Sequence, residues 1–398
     1  MALTVLFLGT LTSDQQNAIF IQNGIRPAPA DIVQEYLLKG LCENQIVDRV
    51  EAICAPRIRS YPKSRVLHVK KAVFNKNNCA IQSVDFLNLP IIGFFQRERN
   101  IVSACKKWAK KQDTKKEYIV LLYSMHSPFL RAAKAIKELL PNAKIGMIVP
   151  DLPQYMSTYN KLLSTLKKVD EKRIKHYLPT IDKYILYTRH MADYFSLLKD
   201  QWMVCEGLMD VSKISLTDNH KKSENVVIYA GSLSPQYAID KLILAFENIT
   251  VDAELHLYGD PVQAEMLMQQ FEECKKTKYM GCLPQAEMFC KMKDAVLLVN
   301  PRPSNLELTK YSCPSKTFEY MASGVPVLMT RLPGLPEEYE PYLFFFESED
   351  VDGFSHTLEH VLSMDSDSLH QKGQEAAKYL LENKSSNQQV ERIVSFLK

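Results

Sequence analysis

The sequence predicts an α/β protein built from two Rossmann-like, doubly wound domains. Three observations carry this expectation. Short apolar runs of strand length alternate with segments of helical periodicity along the chain. A polar stretch, DVSKISLTDNHKKSEN (210–225), interrupts the alternation, which then starts again. The 398 residues are long for one hydrophobic core and natural for two.

In the first half, VLFLG (5–9) reads as a buried strand that enters a loop, and DIVQEYLLKGL (31–41) as a helix. YIVLLYS (118–124) precedes the helix FLRAAKAIKELL, and KIGMIVPD (144–151) supplies the next strand. KYILYT (183–188) comes before HMADYFSLL. In the second half, VVIYAGSL (226–233), AELHLYGD (253–260), KYMGCLP (278–284) and AVLLVNP (295–301) are strands with helices between them. Strand–helix–strand counting of this kind implies parallel sheets, whose ligands bind in loops at the carboxyl ends of strands.

Composition sets the class. With 46% hydrophobic residues the chain is globular. No run of eighteen apolar residues is free of charge, and MALTVLFLGTLTSD lacks the basic start of a signal peptide. Nine scattered cysteines without a C-x-x-C pair fit reduced thiols and a cytoplasmic setting, and point to no metal site. The net charge of +3 hides an asymmetry: residues 1–200 carry 31 basic and 17 acidic side chains, residues 201–398 carry 18 and 29. Basic residues gather in RERNIVSACKKWAKKQDTKK (97–116) and KKVDEKRIKHY (167–177). Ile101, Ala104, Cys105 and Trp108 fall at helical spacing beside Lys106, Lys107, Lys110 and Lys111, after the apolar run LPIIGFF (89–95). The apolar stripe reads as core-facing and the lysine excess as a contact for an anionic membrane surface. No aromatic-basic motif points to nucleic acid.

The most informative stretch is YSCPSKTFEYMASGVPVL (311–328). Pro314 suits a helix start, Gly324 a left-handed helix end, and VPVLM a buried strand. Ser315, Lys316 and Glu319 lie three and four residues apart, so they share a helix face. A helix N-terminus offers free N–H groups to an anion, Lys316 adds a full positive charge, and Glu319 offers an acceptor one turn deeper. Phosphate at the mouth and a sugar hydroxyl beside the glutamate is one reading. A capped helix with an exposed Lys–Glu pair is the other.

The ordered features YAGSLSP, LYGD, MGCLP, VLLVNPRPSN and PSKTFEYMASGVPVL resemble the nucleotide-binding domain of family-4 retaining glycosyltransferases. The resemblance is strong from about residue 225 to 340 and thin before 205, where VPDLPQY (149–155) matches best. It implies the GT-B fold, two domains facing a cleft, with an acceptor domain at 1–205, a nucleotide-sugar domain at 206–375, and a last helix at 376–398 returning to the first domain. Glu319 then matches the second glutamate of the family's E-x7-E pattern, which holds the ribose. Ser315 and Lys316 face diphosphate and sugar. The first glutamate is replaced by Tyr311, within a T-x-x-S-x-P-S-K arrangement (Ser312, Cys313, Pro314) shared by relatives that build bacterial surface polysaccharides. Glu307 either substitutes for that carboxylate or caps a loop. The family's Arg and Lys-Gly after the first strand of this domain are also missing. Ser232 and Tyr237–Ala238 stand there, which leaves diphosphate to Lys316, to amides at Gly231, Ser232 and Ser315, and to Arg302. Gly259 belongs to the same donor side. By the same resemblance His126 and Asp151 join Lys316 as catalytic residues beside the donor sugar, although a satisfied loop histidine and an Asx-turn are the plain alternatives. Gly9 and Thr10 shape the acceptor side.

The resemblance implies retaining, metal-independent transfer from a UDP- or GDP-sugar to a glycan or lipid-linked glycan, at the inner face of a membrane. A nucleotide-sugar epimerase or hydrolase on the same architecture, and a non-catalytic glycan- or nucleotide-binding protein, are the alternatives.

Overall fold

The computed structural model describes residues 3–25, 29–152, 164–208, 225–313 and 315–398. The chain divides into two compact units, one of residues 1–209 with 386–398, the other of residues 210–385.

The first unit is laid out as β1 (Leu3–Gly9), α1 (Asp14–Gln22), α2 (Pro29–Glu43), β2 (Val47–Cys54), β3 (His68–Val69), β4 (Val73–Lys76), β5 (Cys79–Ser83), β6 (Phe86–Leu87) and α3 (Ile92–Ala109). It continues with β7 (Tyr118–Tyr123), α4 (Ser127–Lys137), β8 (Lys144–Val149), α5 (Ser164–Tyr177), β9 (Lys183–Leu186), α6 (His190–Phe195) and β10 (Trp202–Val204). Its eight-stranded sheet has the order β10-β9-β8-β7-β1-β2-β5-β4, parallel except for β4 against β5. β1 and β7 are buried at nearly every position, as expected of strands covered on both faces.

The second unit runs β11 (Val226–Ala230), α7 (Ile239–Asn248), β12 (Glu254–Tyr258), α8 (Pro261–Gln270), β13 (Thr277–Gly281), α9 (Gln285–Lys293), β14 (Leu297–Asn300), α10 (Ser315–Ala322), β15 (Val327–Met329), β16 (Phe344–Phe345), α11 (Val351–Leu362) and α12 (Ser366–Asn383). Its six strands, β13-β12-β11-β14-β15-β16, are all parallel. Two doubly wound parallel sheets are therefore present.

Helix α13 (Ser386–Leu397) belongs to the first unit, where Val390, Ile393, Val394 and Leu397 enter the core around Phe7 and Leu121. Two glycines admit it. A Cβ on Gly40 would meet Val390 Cγ2 at 2.7 Å, and one on Gly146 would meet Leu397 Cδ2 at 2.5 Å. The helix that rejoins the first unit thus begins after residue 376, because residues 376–383 complete α12, where buried Ala376, Ala377 and Leu380 anchor them.

Several elements were not anticipated. Helix α1 follows the expected loop after β1 and precedes α2, and the reciprocal Ser13–Gln16 capping box explains its start. The apolar run 89–95 supplies the first turn of α3, with the Gly93 amide donating to Leu89 O at 2.9 Å. In the same helix Ile101, Cys105 and Trp108 are buried, while Lys106 and Lys107 in its last turn, and Lys110 and Lys111 just beyond it, are exposed. Trp108 Nε1 donates to Glu51 Oε1 at 3.1 Å, which fixes the stripe to β2. Among the described residues no helix is long and apolar enough to cross a membrane. The polar stretch read as a linker lies almost wholly outside the described residues.

Candidate functional site

In a doubly wound sheet the chain reverses its direction of travel at one pair of central strands, and the loops there diverge to leave a crevice. In the second unit this pair is β11 and β14. Gly231, Ser232 and Leu233 follow β11, and Pro301 and Arg302 follow β14.

The loop after β11 is held tightly. Tyr229 hydroxyl donates to Ser232 O at 2.8 Å, and Gln263 Oε1 accepts from Ser232 Oγ at 3.1 Å and from the Leu233 amide at 3.0 Å. A Cβ on Gly231 would lie 2.6 Å from the Tyr229 hydroxyl, and one on Gly259 would lie 2.4 Å from Gly231 O. The two glycines therefore let neighbouring loops touch. Burial pushes the Tyr229 phenol well above its ordinary range, so it stays a neutral donor.

Arg302 donates from Nη2 to Ser312 Oγ at 3.1 Å, and its guanidinium carbon stands 5.7 Å from the centre of the Tyr237 ring. Ser312 in turn donates to Leu308 O at 3.0 Å. Tyr237, a departure from the family pattern, is thus a platform for the cation. Glu307 is exposed at the start of a short 3-10 turn (Glu307–Lys310) that ends at the half-buried Tyr311, followed by the half-buried Cys313. Pro314 lies outside the described residues.

Helix α10 begins at Ser315 and closes at Gly324, whose φ of +76° is the left-handed conformation expected there. Lys316 and Glu319 are both half-buried on it, and Glu319 Oε1 accepts from Gln285 Nε2 at 3.2 Å. The helix is fixed by Tyr320, fully buried, whose hydroxyl accepts from the Ala230 amide at 2.8 Å and donates to Ala230 O at 3.1 Å. Burial raises the Tyr320 phenol far beyond physiological pH, so it keeps the proton it donates. The structure thus joins α10 to the residue that precedes Gly231. Gln263, Gln285 and Tyr320 were not anticipated; each is an ordinary-looking helix residue in the sequence.

In the first unit the reversal falls between β1 and β7. Thr10 follows β1 and His126 follows β7. Thr10 is held by Gln34, which donates from Nε2 to Thr10 Oγ1 and accepts from the Thr10 amide at Oε1, both at 2.8 Å. Gly9 is small because a Cβ there would come within 2.3 Å of that Oε1. A cavity of about 130 Å³ opens at this edge, lined in part by Thr10, Arg57, Arg97 and His126. Arg57 Nη1 lies 3.4 Å from His126 Nε2. Burial, reinforced by the positive charges of Arg57 and Arg97, lowers the His126 pKa to about 3. The imidazole is therefore neutral at physiological pH. Asp151 is exposed after β8 and is not among the residues that line this cavity. Arg57 and Arg97 were missed because they lie in no recognisable motif.

Two doubly wound units with residues gathered at both reversal points define the class of fold to which GT-B glycosyltransferases conform. Residues 212–394 match the family model for glycosyl transferases group 1. The chain is similar in fold to HepE of Anabaena in complex with UDP, at 14% identity and a TM-score of 0.64, covering 98% of this chain and 99% of that one. It is also similar to sucrose-phosphate synthase of Thermosynechococcus elongatus (14% identity, TM-score 0.64, 98% and 97% covered). A third likeness is to the lipopolysaccharide outer core galactosyltransferase WaaB (13% identity, TM-score 0.63, 99% of each chain). No curated protein is significantly similar in sequence. The family match and these folds together support a glycosyltransferase of the GT-B fold.

Proposed function

We propose that the protein is a retaining, metal-independent glycosyltransferase that moves a sugar from a UDP- or GDP-sugar to a glycan or lipid-linked glycan in surface-polysaccharide synthesis. The observation that carries this reading is helix α10, with Lys316 one turn from Glu319, tied through Tyr320 to the loop at the reversal point of the second unit. All of these residues fall within the matched segment. HepE has been crystallised with UDP and with UDP-glucose, which favours a nucleotide-sugar donor here.

In this reading Glu319 accepts ribose hydroxyls, and Lys316, the α10 N-terminus and Arg302 neutralise the diphosphate. The bond from the anomeric carbon to phosphate oxygen breaks as the acceptor oxygen bonds on the same face. The leaving phosphate oxygen takes the acceptor's proton. The protein's work is positioning and charge stabilisation. His126, neutral, and Asp151 contribute hydrogen bonds to sugar hydroxyls, and Thr10 shapes the acceptor side. The exposed lysines at and just beyond the end of α3 support a place at an anionic membrane surface.

The test is incubation with a panel of UDP- and GDP-sugars, with and without glycan acceptors, reading free nucleotide and product mass. Transfer with retained anomeric configuration is expected. A new nucleotide sugar formed without acceptor would identify an epimerase, and binding without turnover a non-catalytic receptor.

A further inference from the structure

The reversal point of the second unit holds a polar side chain that the fold itself does not use. Asn300 ends β14, one of the two strands at the reversal, and is only 8% exposed. Its backbone oxygen accepts from the Thr330 amide at 3.1 Å. Its carboxamide makes no hydrogen bond among the described residues.

The pleat of the sheet decides on which face that amide lies. Val227 and Tyr229 of β11, Leu297 and Val299 of β14 and Leu328 of β15 all enter one core together with α7 and α11. Successive side chains of a strand alternate between faces. Asn300 therefore belongs to the opposite face, as do Ala230 and Met329 on the strands to either side. Helix α10 covers that face. Thr317 Oγ1, in its first turn, donates to Met329 Sδ at 3.7 Å, and the Tyr320 hydroxyl holds the Ala230 peptide. Met329 is the register partner of Asn300. The amide thus lies beneath the first turn of α10, between the ends of β11 and β15.

A buried amide without a partner forfeits the hydrogen bonds that water would give it, whereas an apolar side chain of similar size loses nothing. Leucine, which β14 carries at 297 and 298, would serve the fold better at that position. A ligand that accepts from the amide offsets the cost. The carboxamide offers two N–H donors and one acceptor oxygen, and with no protein partner to hold it either end can turn to a ligand. Beside a helix N-terminus and Lys316, which both favour negative charge, the end that meets the ligand is Nδ2. We propose that Asn300 is a binding residue for the diphosphate of the nucleotide donor, with Nδ2 donating to a phosphate oxygen. The proposal rests on the glycosyl-transfer reading and adds a neutral donor to the charges of Lys316 and Arg302.

The test compares the full-length wild type with Asn300→Leu and Asn300→Asp. Affinities for UDP, GDP and the nucleosides uridine and guanosine are measured by calorimetry, and stability by urea unfolding without nucleotide. Asn300→Leu is expected to weaken the nucleoside diphosphate about ten- to a hundred-fold and to leave the nucleoside unchanged. Its urea midpoint should rise at unchanged slope, because the unpartnered amide is gone. A residue that merely supports the fold would lower the midpoint and weaken nucleoside and nucleotide together. Asn300→Asp keeps the shape but puts negative charge in place of the N–H donors, so it should weaken the diphosphate at least as much as leucine does. Asn300→Ser, smaller and still a donor, should keep part of the affinity, and it stands in for the leucine variant if that one does not fold. The proposal is overturned if the leucine variant binds the diphosphate as the wild type does, or if its loss extends equally to the nucleoside. It is also overturned if the aspartate variant binds normally, since the oxygen end would then meet the ligand. A wild type that binds neither UDP nor GDP removes the nucleotide reading and this proposal with it. Wild-type binding that is indifferent to Asn300→Leu removes the proposal alone.

Discussion

The hydroxyl of Tyr320 brackets the peptide of Ala230, accepting from its amide at 2.8 Å and donating to its carbonyl at 3.1 Å. This contact spans 90 residues of sequence and sets where α10 stands against the end of β11. Tyr320→Phe keeps the ring but leaves two buried polar groups without the hydroxyl. A loss of about 1–3 kcal/mol of stability is expected, read as a lower urea midpoint at unchanged slope. UDP affinity should fall as well, because the loop carrying Gly231 loses its register with the helix. Unchanged stability and affinity would show that α10 is held by packing alone.

Glu319→Ala tests the proposed ribose contact. Removing a charged acceptor costs on the order of 1.5–3 kcal/mol, or about ten- to a hundred-fold in nucleotide affinity by calorimetry. Gln285→Ala, which removes only the 3.2 Å donor to that carboxylate, should weaken binding less. Normal nucleotide binding by Glu319→Ala would place the ribose elsewhere.

Lys316→Ala should reduce turnover more than Lys316→Arg, because the proposed role of Lys316 is positive charge beside a leaving diphosphate. Steady-state rates with a saturating donor make the comparison. Full activity in the alanine variant would transfer that role to Arg302 or to backbone amides.

His126 predicts a pH dependence with a definite sign. Its pKa falls from 6.5 in an unfolded chain to about 3 in the folded one, chiefly through burial. Above about pH 6.5 the ring is neutral in both states and its contribution to stability is fully present. As pH falls toward 3 the unfolded chain takes up a proton that the folded chain refuses, so stability is lost. Urea midpoints should therefore drop more steeply between pH 7 and 4.5 in the wild type than in His126→Gln. Parallel profiles would mean that the ring is solvated and titrates normally.

The four exposed lysines of the α3 end, Lys106, Lys107, Lys110 and Lys111, predict attachment to anionic vesicles. Each should contribute about 1 kcal/mol near such a surface, and salt should weaken it. Replacing all four by glutamine should release the protein in a sedimentation assay. Ile91, Ile92 and Phe95 stand at the opposite end of the same helix, about 25 Å away by its rise. Vesicle binding that ignores both salt and the lysines would assign attachment to that apolar turn instead.

Much of the fold is written locally. Strand-length apolar runs, the glycine at position 324 and the periodicity of 315–322 state their structure within a few residues, because backbone conformation and burial of one face are short-range requirements. Even some unanticipated elements carried such signals. Asn77 and Asn78 both have positive φ in the two-residue turn joining β4 to β5, a hairpin signature that the residues NN announce. Lys316 and Glu319 are legible for the same reason: three residues of helix fix their spacing. The first-unit cavity is different. Arg57, Arg97 and His126 come from segments before β3, within α3 and after β7, and only the order of strands β7-β1-β2 brings them to one edge. Nor does any local rule mark Tyr320 as the residue that ties α10 to β11, or Gln34 as the one that holds Thr10. Sequence alone determined most of the elements and the spacing of Lys316 and Glu319 on helix α10. Tertiary structure decided which charges face one another, because electrostatic and hydrogen-bond partners are chosen by distance in space, and in a parallel sheet that distance is set by crossovers many residues long.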